Sequence, residues 1–210
     1  MTGRYILYGA PGYGSMIVEA AFVHAGLDLD FVDLKPEDTG WDSARLGPLN
    51  PLGQTPTMIF PSGEVMTESA AIILHLADIR PGAGLAPPPD DRTRAQFLRW
   101  LLVLAAAVYP TFTYGDVPER WVIDAPDGAA KLRAQTDAHR EMLYQMLERA
   151  AGAPWFLGDR FSALDIYLWQ MSHWRPRRPW FAAHCPKLYA IATRAGALGA
   201  CRQTSARNGY

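Results

Sequence analysis

The spacing of apolar positions changes part-way along the chain. Arg4-Tyr5-Ile6-Leu7-Tyr8 is short, aromatic and β-branched, and ends in a Gly/Pro cluster from Gly9 to Gly14, so it predicts a buried strand. Ser15 opens a run carrying one charge, Met16 to Ala25, and Gly26 closes it. Ser at an N-cap and Gly just past the last turn are helix signals. Leu29 to Leu34 predicts a second strand, which makes the opening unit β-α-β with parallel strands. Thr57 to Phe60 and Glu64 to Met66 flank Pro61-Ser62-Gly63, a hairpin signal. The turn-rich segment Pro36 to Gly53 precedes them. Glu68 to Ile79 follows as a helix, with Ala70, Ala71, Ile73, Leu74 and Ala77 as its apolar positions.

After Arg80 the period-two pattern disappears. Pro and Gly crowd the stretch from Pro81 to Pro89, the clearest linker in the chain. Arg92 to Val108 reads as a helix that Pro110 should kink or end. Asp127 to Ala151 reads as a long amphipathic helix, Ser162 to Trp174 as another, and Pro186 to Ala195 as a short last one. The small, polar tail after Gly196 is expected to be poorly ordered. The fold class is therefore an α/β N-terminal thioredoxin-like domain (βαβ-ββα), residues 1–80, then a linker at 81–90, then an all-α helical C-terminal domain, residues 91–210.

Composition narrows the function. The chain has 210 residues, 49% of them hydrophobic, and a net charge of -1, which gives no electrostatic ground for binding nucleic acid or anionic lipid. Cys185 and Cys201 form no CxxC and no bridge framework, and the five histidines (His24, His75, His139, His173, His184) have no metal-ligand spacing. No metal is expected. The N-terminus shows no cleavable leader, and the longest apolar run, Leu101 to Tyr109, is too short to span a bilayer. The expectation is a cytoplasmic protein with no membrane and no nucleic-acid partner.

Gly53-Gln54-Thr55-Pro56 precedes the hairpin. A proline there cannot donate to a ladder and belongs at a strand start. Between a β-α-β and a β-β-α unit we expect it to be cis, leaving the N–H and C=O of Thr55 to pair with a peptide ligand like an added strand. Glu68-Ser69 opens the next helix; the N–H groups there and the Ser69 hydroxyl suit a ligand carboxylate, and Glu68 suits an ammonium. Asn50-Pro51-Leu52-Gly53-Gln54-Thr55-Pro56 followed by Glu68-Ser69-Ala70-Ala71-Ile72 resembles the glutathione-binding half of the cytosolic glutathione S-transferase family, most of all the bacterial beta-like and zeta-like classes.

That resemblance implies a detoxification enzyme that conjugates, reduces or isomerises small apolar electrophiles with glutathione as co-substrate, working as a homodimer. It implies that Thr55, before the cis Pro56, holds the cysteinyl backbone of glutathione, that Glu68 and Ser69 hold its γ-glutamyl end, and that Gln54 lies near its glycine carboxylate. The hydrophobic substrate pocket it implies is formed by Trp100, Tyr109, Phe112 and Tyr114, for which helix-core packing is the alternative. The reaction needs a glutathione thiolate, which a helix N-terminus and a hydroxyl donor would stabilise. Beta-like members carry a cysteine in a Pro-Gly-x-Cys-Ser loop, whereas this chain reads Pro11-Gly12-Tyr13-Gly14-Ser15. Ser15, as an N-cap hydroxyl, is the first candidate for the catalytic residue, with Tyr13 and Tyr8 as alternatives. The rival to an enzyme is a non-catalytic binding or scaffold module on the same fold.

Three further motifs carry less. Gly12-x-Gly14 with Asp33 downstream hints at a dinucleotide site, but Ile17 stands where the third glycine belongs. Phe161-Ser162-Ala163-Leu164-Asp165-Ile166 reads as a capping box with a hydrophobic staple, a scaffold element. Trp169, Trp174 and Trp180 around Arg175, Arg177 and Arg178 read as packing and a solvated turn rather than a nucleic-acid surface.

Overall fold

A computed structural model of the chain describes residues 4–35, 40, 43–125 and 127–209. The start of the chain, most of the turn-rich segment from Pro36, and Pro126 in the approach to the long helix include residues outside that set. The described chain separates into two compact units, one of residues 1–88 with 194–210 and one of residues 89–193.

In the first unit, β1 (Tyr5–Gly9), α1 (Ser15–His24) and β2 (Leu29–Asp33) form the opening β-α-β, and β3 (Thr57–Ile59), β4 (Val65–Thr67) and α2 (Ser69–Ile79) form the β-β-α. The sheet order is β2-β1-β3-β4, with β2 parallel to β1 and both β3 and β4 antiparallel to their neighbours. The βα crossover makes the first pair parallel, and the tight turn ending at Gly63 (φ 88°) makes the last pair antiparallel. This is the thioredoxin-like arrangement expected from the sequence.

Every residue of α1 from Ser15 to Phe22 is buried. The helix touches β1, β2, α2 and a further helix, α9 (Gly199–Asn208), which explains why its sequence is apolar all round rather than on one stripe. α9 lies in the tail expected to be poorly ordered, and it counts with the first unit, not with the 91–210 domain of the sequence boundary. Its polar surface misleads. Arg207 donates from Nε at 2.5 Å and from Nη2 at 2.9 Å to the Glu19 carboxylate, and from Nη1 to Asp33 at 2.9 Å. Asn208 Nδ2 also donates to Glu19 at 3.1 Å, and the guanidinium lies 3.5 Å from the Phe31 ring centroid. The single charge of α1 is thus buried against a partner 188 residues away in sequence.

The second unit is helical. α3 (Arg94–Val103) runs through a π segment, Leu104–Val108, into α4 (Tyr109–Asp116). Pro110 does not end this helix, which continues to Asp116. It lacks an N–H and crowds the preceding turn, and the wider π turn immediately before it absorbs that conflict. The resulting helix, Arg94–Asp116, has 23 residues and is long and apolar enough by length and composition to cross a membrane. Its Phe97, Trp100, Leu101, Leu104 and Val108 are buried in the protein core.

Next come α5 (Gly128–Ala150), α6 (Ala163–Ser172), the short α7 (Arg178–His184), which no sequence signal announced, and α8 (Pro186–Gly196). All ten residues of α6 are buried. Ser162 is its N-cap, and the Asp165 half of the expected capping box is present: the Asp165 carboxylate accepts from the Ser162 N–H and from the Phe156 N–H, both at 2.8 Å. Burial pushes the Asp165 carboxyl up to about 7, while those N–H donors pull the other way.

Candidate functional site

The register of the sheet gathers three loops. Tyr8 pairs with Thr57, and Thr57 with Thr67, so the three residues form one rung across β1, β3 and β4. The chain leaves that rung after Tyr8 toward α1, enters it from Gln54-Thr55-Pro56, and leaves it after Thr67 into Glu68-Ser69. All three candidate segments of the first unit therefore converge at one end of the sheet.

In the first loop Gly14, not Ser15, is the N-cap; Ser15 is the first helical residue. The Ser15 hydroxyl is fully buried, accepts from the Ala10 N–H at 3.2 Å and donates to the Ala10 C=O at 3.3 Å. The fit is tight: a Cβ at Gly9 would come within 2.3 Å of the Ser15 Cβ. Ser15 thus closes the strand-to-helix turn from inside. Tyr13, on the turn itself, is 42% exposed, and Tyr8 is half-buried.

In the second loop the Thr55–Pro56 peptide is cis, as the sequence context predicted. Pro56 is buried, Thr55 half-buried and Gln54 exposed. Asn50, at 3% exposure, and Thr57, at 0%, lie beneath this loop and are hydrogen-bonded to it. In the sequence Asn50 stands out only as the first residue of the Asn50–Pro56 motif.

In the third, Ser69 is buried at the first turn of α2 and Glu68 is exposed, with Thr67 Oγ1 donating to Glu68 Oε1 at 3.4 Å. Glu68 has φ 64° and ψ 105°, a backbone conformation that a non-glycine residue rarely holds. Such strain costs on the order of 1–3 kcal/mol and clusters at functional sites. No sequence signal pointed to it.

The aromatic candidates of the second unit do not form one group. Trp100 is buried edge-on against Phe156 at 5.8 Å, with Arg99 over its ring at 4.4 Å. Phe112 is buried against Trp174 at 5.1 Å, with Tyr109 at 6.5 Å and the Arg140 guanidinium 4.2 Å from its centroid. Tyr114 is 42% exposed and stacks edge-on with Trp121 at 4.6 Å. Trp100 and Phe112 are buried, whereas Tyr109 and Tyr114 keep accessible surface.

The remaining motifs are absorbed internally. Asp33, the acid of the dinucleotide reading, is paired with Arg207. Arg175 pairs with Asp116 at 2.7 Å and Asp137 at 3.3 Å, and Arg178 donates to Ser172 and Thr193. Cys185 and Cys201 are buried free thiols, and burial pushes each up to about 12. Among the described residues no group of three or more His, Cys, Asp and Glu side chains could hold a metal.

The sequence profile described as "Glutathione S-transferase, N-terminal domain" matches residues 15–79, a span that begins with α1 directly after the first loop and holds the second and third. Along 204 residues the chain is 39% identical to the uncharacterized GST-like protein YncG of Escherichia coli K12, covering 96% of this chain and 97% of that one. The chain belongs to the glutathione S-transferase family. Within that family it is 32% identical to a maleylacetoacetate isomerase of Rhizobium meliloti over 72% of this chain and 71% of the relative. Among solved structures, a sphingomonad glutathione S-transferase complexed with glutathione superposes with a TM-score of 0.79 at 26% identity, covering 97% of this chain and 98% of that one.

Proposed function

We propose that this glutathione S-transferase family member binds glutathione at the end of the sheet marked by the Tyr8–Thr57–Thr67 rung and transfers it to small apolar electrophiles. The observation that carries the reading is the convergence there of Thr55 before cis Pro56, of strained Glu68 with Ser69, and of the N-terminal end of α1. Thr55 offers its backbone to the cysteinyl residue, Ser69 and the first turn of α2 hold the γ-glutamyl carboxylate, Glu68 its ammonium, and Gln54 reaches toward the glycine end. The glutathione found on the sphingomonad relative supports this assignment. Tyr109 and Tyr114 are the contacts we assign to the electrophile.

The thiolate is stabilised by the N-terminus of α1 with a hydroxyl donor, and we assign that donor to Tyr13 ahead of Ser15 and Tyr8. Ser15 is committed to Ala10 on both its donor and acceptor sides. The enzyme acts as a homodimer in the cytoplasm on this reading. A non-catalytic binding module is favoured by one observation, the Gly14 that stands where beta-like members carry their cysteine. Turnover of glutathione with a panel of aryl halides, isothiocyanates and hydroperoxides separates the two: turnover of one class at a rate above the uncatalysed reaction supports the enzyme, and glutathione binding without turnover of any supports the module.

A further inference from the structure

We infer that Asn50 and Thr57 are positioning residues for the ligand peptide: together they clamp the Gln54 carbonyl inward and so turn the Thr55 N–H outward. The inference rests on the glutathione reading above and extends it to residues that touch no ligand.

Three groups form a closed ring. Asn50 Nδ2 donates to the Gln54 C=O at 3.0 Å and to Thr57 Oγ1 at 3.1 Å. Thr57 Oγ1 donates in turn to the Gln54 C=O at 2.9 Å. The orientation of the Asn50 amide is fixed from its other side, since Oδ1 accepts the Leu52 N–H at 3.1 Å. Both hydrogens of the amide and both lone pairs of the Gln54 carbonyl are therefore used. Asn50 and Thr57 are almost completely buried, where leaving a partner unpaired is costly and the geometry is correspondingly stiff.

Planarity carries this to the surface. The Gln54–Thr55 peptide is trans, so its C=O and N–H point in opposite directions. With the carbonyl held toward Asn50 and Thr57, the Thr55 N–H faces away from them. Among the described residues no hydrogen bond ends on the backbone N–H or C=O of Thr55. The ring thus prepares a backbone donor before any ligand arrives, and the ordering cost is not charged to binding.

Thr57→Val keeps the β-branched shape in β3 and removes the hydroxyl; Thr57→Ser restores the hydroxyl. Asn50→Asp keeps the acceptor for Leu52 and removes both donors. Calorimetry with glutathione and the carbonyl ¹³C shift of Gln54 are measured on each full-length variant at a temperature where circular dichroism shows it folded. We expect Thr57→Val to shift the Gln54 carbonyl resonance and to weaken glutathione binding roughly tenfold, Asn50→Asp to do so more, and Thr57→Ser to stay near wild type. In turnover the loss should appear in KM for glutathione with kcat nearly unchanged. Unchanged binding in folded Thr57→Val and Asn50→Asp overturns the inference while leaving the glutathione reading intact, as does equal loss in Thr57→Val and Thr57→Ser. Failure of the wild type itself to bind glutathione overturns both.

Discussion

The Ser15 hydroxyl is bonded to Ala10 on both sides of that residue, accepting from its N–H and donating to its C=O. A side chain so engaged, with no exposed surface, serves the turn between β1 and α1.

Ser15→Ala should therefore act on stability. It leaves a buried N–H without a partner and should cost about 1–3 kcal/mol in denaturant unfolding. Tyr13→Phe should leave stability within about 0.5 kcal/mol, as for an exposed substitution. It should raise the pKa of the bound glutathione thiol by roughly one unit and lower turnover near neutral pH about tenfold. Thiolate absorbance titration of the complexes checks this. A shifted titration in Ser15→Ala with an unshifted one in Tyr13→Phe returns the role to Ser15; a shift in Tyr8→Phe alone assigns it to Tyr8.

That titration should be free of interference. Cys185 and Cys201 are both buried, with thiols pushed up to about 12. Neither should react with an aromatic disulfide reagent near neutral pH in the native protein, and both should react once it is unfolded. Rapid labelling of one thiol under native conditions would contradict this burial.

Two non-glycine residues with positive φ give a paired test. Glu68 has φ 64° and Arg177 φ 75°. Glycine relieves the strain at either position and loses some of that gain to chain entropy, so Glu68→Gly and Arg177→Gly should each stabilise the protein by about 1 kcal/mol. Only Glu68→Gly should weaken glutathione binding. Equal glutathione affinity in the two variants would mean that the strain at Glu68 serves no ligand.

Much of the first unit was legible because each of its elements is bounded by local chemistry. Gly26 and Gly63 mark turns with positive φ, and the strands between them are short and apolar. The three candidate loops were legible as motifs, but their convergence was not, because it depends on the pairing of Tyr8 with Thr57 and of Thr57 with Thr67 across the sheet. α9 was missed because its order comes from Glu19 and Asp33, residues remote in sequence from Arg207. The N-cap position expected of Ser15 was misplaced for a related reason. Serine before an apolar run signals a cap, but here the cap position falls one residue earlier, at Gly14, and the hydroxyl turns back to Ala10.

Asp165 gives the protein a pH-dependent component of stability. Its carboxyl is raised to about 7 in the folded chain by burial, against about 3.9 when unfolded. The folded state therefore holds the proton longer. The contribution is complete below pH of about 4, is lost as pH rises toward about 7, and is flat above, with a span of at most about 4 kcal/mol. Asp165→Asn should remove this slope. Subtracting its unfolding free energies from those of the wild type between pH 4 and 8 isolates the effect. A difference that does not change with pH would show that the N–H donors of Phe156 and Ser162 outweigh burial.

On the proposed reading, the rung of Tyr8, Thr57 and Thr67 carries a glutathione site. Isothermal calorimetry of the wild-type protein with glutathione tests it directly. One saturable site per chain is expected, weakened at least tenfold in Ser69→Ala, whose hydroxyl is assigned to the charged γ-glutamyl carboxylate. No heat of binding up to millimolar glutathione, or binding that Ser69→Ala and Glu68→Gly leave untouched, would contradict it.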